Sequence, residues 1–287
     1  MIKHNINRTK KAGRLRGQGR EFGRRANLRI KEKLKKPIPR SIVPSFFTLM
    51  NLLCGFLAIT QIYQGMLIYG AWLIVLAAFF DALDGFMARL TNGTSVFGTE
   101  LDSLSDVVSF GAAPGFLIYV WAFSDSPGIG LALLAALPLL CGAIRLARYN
   151  MEAVIESHDY FRGLPIPAQA MMIVGFFLTF NDRIELFDFF KQGLNVVLIP
   201  VIIVLSLLMV STIKFDKIPR FKKEYLRQNR GKIVMFATYA VLILVLQEYG
   251  LMIVFSAFIL KGLIVSGITF WKDVMSDEDL DISSTNS

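Results

Sequence analysis

The stretch DALDGFMARLTNGTSVFGTELDSLSD, Asp81–Asp106, places Asp81, Asp84, Asp102 and Asp106 between two long apolar runs. On a helix, residues three or four apart share a face. Asp81 and Asp84 are three apart, and Asp102 and Asp106 are four apart. Two neighbouring helices joined by a short loop therefore aim four carboxylates at one spot. A charged residue deep in a bilayer costs about 2.5–3.5 kcal/mol on insertion scales. Each close pair of like charges adds about 4 kcal/mol at an effective dielectric near 20. Arg89 is the one cation between Asp81 and Asp106, so neutralisation must come from elsewhere. A bound divalent cation, or a pair, supplies it, and an all-oxygen ligand set favours Mg2+, Mn2+ or Ca2+ over zinc or copper. Acids at a helix edge often only face water, and the macrodipole favours them at an N-terminus. Four in this spacing, with the small residues Gly85, Ala88 and Gly98 interleaved, point to a site instead, because small residues let backbones and a bulky ligand approach closely. Metal ions facing a wet cleft suggest phosphate chemistry.

The composition outside this stretch sets the solvent. Of 287 residues, 54% are hydrophobic and only 18% charged, against about 25% charged in soluble domains. The mean hydropathy is +0.52, and the apolar residues fall in blocks of the roughly 20 residues that cross a bilayer. The chain is therefore read as an all-α polytopic membrane bundle. Its net charge of +9 is unevenly spread: 15 of the 31 Lys and Arg residues lie in the first 40 positions, against Glu21 and Glu32 alone. Beside a membrane domain, such a basic arm is expected to meet anionic lipid rather than nucleic acid. Phe22, Ala26, Ile30 and Leu34 recur at fours, which predicts a short amphipathic helix on the membrane surface. Cys54 and Cys141 lie inside apolar runs, and His4 and His158 are the only histidines, so neither a disulfide framework nor a zinc site is expected. No cleavable signal peptide is expected either, since the first apolar run follows about 40 polar residues.

Eight apolar spans are predicted, at residues 42–61, 66–90, 104–123, 129–149, 166–180, 194–213, 233–246 and 249–271. Cations mark alternate connections: Arg89 in one, Arg145, Arg148 and Arg162 in another, and eight Lys and Arg between Lys214 and Lys232. The intervening QIYQG and SDSPG turns carry none. This alternation predicts both termini in the cytoplasm of an inner-membrane protein. The four aspartates then lie on the cytoplasmic side, with Tyr63, Tyr69, Trp72, Tyr119 and Trp121 forming an aromatic belt at the other interface. The predicted organisation is a basic arm (1–40), a membrane domain (41–272) and an acidic tail (273–287).

The acidic stretch also reads D-x2-D-G-x2-A-R-x8-G-x3-D-x3-D, filled by Asp81, Asp84, Gly85, Ala88, Arg89, Gly98, Asp102 and Asp106. This resembles the signature of the CDP-alcohol phosphotransferase family at every defined position. The resemblance implies a six-helix core around two divalent cations on the cytoplasmic side. It also implies transfer of a phosphatidyl group from CDP-diacylglycerol to an alcohol, with release of CMP, by a homodimer. By the same resemblance Asp81 and Asp102 bridge both metals, Asp84 binds one, and Asp106 binds the other and acts as the base for the acceptor hydroxyl. Gly85, Arg89 and Ser95 match positions that contact the CDP-lipid, with Ala88 and Gly98 beside them. PSFFTLMN, Pro44–Asn51, resembles the first-helix segment lining the nucleotide site. Thr48 keeps that match, while Ser45 stands where the family usually has Asn. Asn51 also has a simpler use, bridging helices.

Two further segments, RLARYN (Arg145–Asn150) and FRGLPIPAQA (Phe161–Ala170), look like parts of the integral-membrane phosphatidylserine synthases, a branch of that family. They point to L-serine as acceptor, with Arg145 and Arg148, three apart, as candidates to hold its carboxylate. Topology-setting charge is the plainer use of both arginines. Glycerol phosphate, inositol phosphate or choline are the competing acceptors. A cation transporter with intramembrane acids is the competing class, although the acids sit on one side and no inverted repeat is visible.

Overall fold

Apolar blocks become helices because, in hydrocarbon, every backbone N–H and C=O must be satisfied within the segment. The structure is a computed structural model that describes residues 42–285 apart from 92, 94, 125–127, 156–159, 188, 191–192, 217–237, 240 and 244. The basic arm with its predicted amphipathic helix, and half of the predicted span at 233–246, lie outside the described residues. Among the described residues, seven helices carry the fold: α1 (Ile42–Tyr63), α2 (Leu67–Thr91), α3 (Val96–Phe123), α4 (Ile129–Ile155), α5 (Ile166–Phe180), α6 (Asn195–Val210) and α7 (Glu248–Thr285). Five of them (α1 to α4 and α7) are long and apolar enough to cross a membrane. Helices α5 and α6, of 15 and 16 residues, are shorter. The acidic tail continues α7 as helix to Thr285.

The bundle turns its large apolar side chains both ways. Phe110, Phe123, Phe177, Leu117, Ile74 and Ala58 are fully buried at its centre. Phe46, Phe56, Phe79, Leu133, Ile144, Leu207 and Ile264 project outward, as lipid-facing residues do. Tyr63, Tyr69 and Trp72 are exposed near the α1–α2 turn, where an interfacial belt is expected. Trp121 instead packs inward, edge-on to Phe177 with centroids 5.1 Å apart.

Three local features differ from the sequence expectation or extend it. The third helix starts at Val96 rather than near residue 104, because Ser95 caps it: Gly98 N donates to Ser95 Oγ at 3.0 Å. Asp102 and Asp106 therefore sit inside α3 instead of opening it. Helix α3 then widens into π-helix at Val107–Ala112. Pro114 lacks the N–H that would reach Phe110 O, and its ring crowds that carbonyl; the Ala113 N–H instead reaches Val108 O, five residues back. Finally, a small antiparallel ribbon pairs β1 (Tyr160–Arg162) with β2 (Lys214–Asp216) in the register Phe161↔Phe215. Phe215 is buried against Phe258 of α7.

Helices α1, α2 and α3 define the site. Met66 N donates to Gln61 O at 2.9 Å and closes the α1–α2 turn. At the far end of α2, Gly93 N donates to Ala88 O at 3.1 Å, and the chain turns into α3. Close contact of α1 with α3 requires Gly55, where a Cβ would lie 2.7 Å from Ser109 Cα. That approach brings Asn51, one turn away, to the level of Asp106.

Candidate active site

The three helices converge on the carboxylates that the spacing predicted. Ligand oxygens of Asp81 from α2 and of Asp102 and Asp106 from α3 all lie within 4.8 Å of one another. Asp84, one turn beyond Asp81, is 6% exposed, and Asp106 is 7% exposed. The side chains thus converge from two helices instead of splaying toward water.

Neighbouring groups position Asp106 and Asp84. Asn51 of α1 is fully buried, and its Nδ2 donates to Asp106 Oδ1 at 3.2 Å. Ser109 Oγ donates to Asn51 O at 2.9 Å, and Ser105 Oγ to Thr48 O at 3.1 Å. These two hydroxyls bind α3 to the α1 backbone on either side of Asp106. Thr48 Oγ1 donates to Pro44 O at 3.2 Å, and the hydroxyl faces Asp84. Asn51 thus bridges helices as its simpler reading had it, and it does so onto the predicted base. Ser105 and Ser109 were missed by sequence reasoning. Their spacing of four around Asp106 was the available signal.

Two carboxylate oxygens, Asp84 Oδ2 and Asp102 Oδ1, are buried with no hydrogen-bond donor within reach. Native proteins leave few buried polar atoms in that condition without a ligand, water or ion to account for them. Three clustered acids, with unsatisfied oxygens on Asp102 and on the adjacent Asp84, form an all-oxygen donor set suited to a hard divalent cation. The cluster fits a metal. Asp81, Asp102 and Asp106 would hold it, with Asp84 adjacent.

The remaining candidates divide by location. Gly85 and Arg89 lie together on α2, with Arg89 Nη1 3.6 Å from where a Gly85 Cβ would stand. Arg89 is exposed; Ala88, Gly98 and Ser45 are half-buried. Ser95 serves as the α3 cap. Arg145, on α4, is 5% exposed, within electrostatic reach of Asp106 and 5.8 Å from the Tyr149 ring. Arg148 goes elsewhere. Its Nη1 donates to Val210 O at 2.8 Å, and its Nη2 to Ser211 O at 3.1 Å, Arg162 O at 3.3 Å and Met209 O at 3.5 Å. The guanidinium therefore clamps the C-terminal carbonyls of α6 beside the ribbon. The structure does not bring it together with Arg145 at the carboxylates. Gly163 permits this close packing: its φ is +76°, and its N–H donates to Ile213 O at 2.8 Å.

A membrane bundle with clustered aspartates at the junction of its second and third helices defines a class, and the chain belongs to it: residues 41–208 match the CDP-alcohol phosphatidyltransferase family. Among its relatives is the CDP-diacylglycerol–serine O-phosphatidyltransferase of Helicobacter pylori. That protein is 33% identical over 226 residues, which are 79% of this chain and 91% of the relative. The enzyme of the same name from Methanocaldococcus jannaschii is 40% identical over 178 residues, 62% of this chain and 75% of the relative. The archaetidylserine synthase of Methanothermobacter thermautotrophicus is 37% identical over 178 residues, 61% of this chain and 70% of the relative.

Proposed function

We propose that this chain transfers the phosphatidyl group of CDP-diacylglycerol to the hydroxyl of L-serine, releasing CMP and forming phosphatidylserine. The carrying observation is the group of three carboxylates within 4.8 Å, set in a family that handles CDP-alcohols. The serine assignment is supported by the relatives, whose names share that acceptor although one differs in its lipid.

The chain's residues have separable tasks in this reading. Asp81, Asp84, Asp102 and Asp106 would hold two divalent cations, Mg2+ or Mn2+. Such cations supply charge neutralisation of a pyrophosphate and electrophilic assistance at its phosphorus. Asp106 is also the base. Asn51 occupies its Oδ1, which leaves the second oxygen to accept the serine hydroxyl proton. The hydroxyl oxygen forms a bond to the β-phosphorus as the bond from that phosphorus to the bridging oxygen breaks, and CMP leaves. Arg89 lies over Gly85, where a guanidinium suits phosphate oxygens. Ala88, Gly98 and Ser45 leave room around the nucleotide, with the Thr48 and Ser95 hydroxyls at its border. In this reading Arg145 holds the serine carboxylate, while Arg148 serves the α6 carbonyls. The reading also puts the site on the cytoplasmic face of the inner membrane, with the basic arm on anionic lipid and a homodimer as the assembly.

Purified protein given labelled CDP-diacylglycerol, a divalent cation and a panel of acceptors tests this. CMP release is expected with serine and at background with glycerol phosphate, inositol phosphate and choline. Release that follows a different acceptor reassigns the substrate. No acceptor-dependent release, together with cation flux in liposomes, refutes the enzyme reading.

A further inference from the structure

Among the described residues, the site leaves several buried polar side chains unused, Trp121, Gln169 and Ser206 among them. Gln169, in the first turn of α5, is fully buried, and neither its Oε1 nor its Nε2 has a hydrogen-bond partner. Its backbone N–H is satisfied by Pro165 O at 3.1 Å, so the helix itself does not need the carboxamide. Burying an amide with both ends unsatisfied is costly. A ligand that pairs with the amide reduces that penalty.

Packing of α5 fixes where Gln169 faces. Ile166, one turn before it, packs on Gly142 of α4. Phe176, two turns after it, meets Trp121 of α3, with centroids 6.2 Å apart. Residues at these spacings share a helix face, so Gln169 lies on the side of α5 turned toward α3 and α4. Arg145 is one turn beyond Gly142 on α4, within electrostatic range of Asp106. Side chains on a helix lean toward its N-terminus. Helices α4 and α5 run in opposite directions here, so the Arg145 guanidinium and the Gln169 carboxamide lean toward each other across the Gly142–Ile166 contact. The cation and the amide thus approach from either side of the Gly142–Ile166 contact.

We infer that Gln169 recognises the acceptor: its Oε1 accepts from the serine ammonium while Arg145 holds the serine carboxylate, orienting the hydroxyl toward Asp106. The inference rests on the serine reading above. The amide gives the site a means of choosing an amino acid over a plain alcohol. A hydrogen-bonding site rejects an analogue lacking the matching group, because its own polar atoms are then left unpaired.

Steady-state kinetics of Gln169→Met, nearly isosteric but without the amide, test it against serine and 3-hydroxypropanoate, which lacks the ammonium. The expected result is a serine KM raised about tenfold to a hundredfold, the scale of a lost hydrogen bond to a charged group. The KM for CDP-diacylglycerol should stay within about twofold, and the preference for serine over 3-hydroxypropanoate should collapse. Gln169→Asn, which keeps a shortened amide, should fall between the wild type and Gln169→Met, and it carries the test if the Met variant does not fold. A merely structural amide would lower the melting temperature and leave the serine preference intact, which overturns the assignment. A wild type that releases CMP with serine, beside a variant with unchanged serine KM and unchanged preference, overturns it while sparing the proposed function. A wild type indifferent to serine overturns both.

Discussion

Replacing Asn51 with Leu removes the amide that holds Asp106 and keeps the side-chain volume close to the original. In the structure Asn51 Nδ2 donates to Asp106 Oδ1 at 3.2 Å, and both residues are buried. A hydrogen bond to a charged group contributes about 1.5–3 kcal/mol, and every 1.36 kcal/mol is tenfold in rate. The variant should therefore lose roughly 10-fold to 150-fold in kcat/KM for serine. The α1–α3 contact itself should persist, because the Ser109 hydroxyl bonds the Asn51 backbone carbonyl, which Leu retains. Serine-dependent CMP release in detergent, with the melting temperature measured in parallel, gives both quantities. Asp106→Asn supplies the floor: the Leu variant should lie between it and the wild type. A kcat/KM within about threefold of wild type, in a protein of normal melting temperature, would refute the argument that Asn51 orients the base.

Two other perturbations address the ion site and the clamp. Asp102→Asn should lose more than the roughly 10–100-fold in metal affinity that outer partners of a metal site cost. Titration of Mn2+ by electron paramagnetic resonance measures the loss, and activity abolished by EDTA should return with Mg2+ or Mn2+ in the wild type only. Arg148→Lys should fail to restore the stability lost in Arg148→Met, because an ammonium cannot reproduce the planar fork that serves the carbonyls of α6. A lowered melting temperature with an unchanged serine KM is the expected pattern, and a raised serine KM at normal stability would return Arg148 to the acceptor.

The legible parts of this protein were those written in short-range spacing. The three- and four-residue intervals of Asp81, Asp84, Asp102 and Asp106 gave one face on each of two helices, and the ligand oxygens of Asp81, Asp102 and Asp106 meet there. The α5 limits, residues 166–180, match because Pro165 and Pro167 mark one end. The start of α3 was not read, since hydropathy registers only the apolar run after Leu104, whereas the helix begins at a polar cap, Ser95. The backbone contacts of Arg148 were not legible for a different reason. A cation near a helix end has the same signature whether it faces phosphate, water or a neighbouring backbone, and only the tertiary position of α6 decides. Gln169 escaped notice because one polar residue in an apolar run is silent until its surroundings are known to be closed.

The Arg148 clamp has an asymmetric evolutionary consequence. Its acceptors at residues 162, 209, 210 and 211 are all main-chain oxygens, which every amino acid supplies. Side chains at those four positions are free to drift with respect to this contact, whereas the donor has no substitute of equal shape. Comparing sequences by pairwise covariation would therefore detect no partner for Arg148, and the clamp would show only as a solitary invariant beside changeable neighbours.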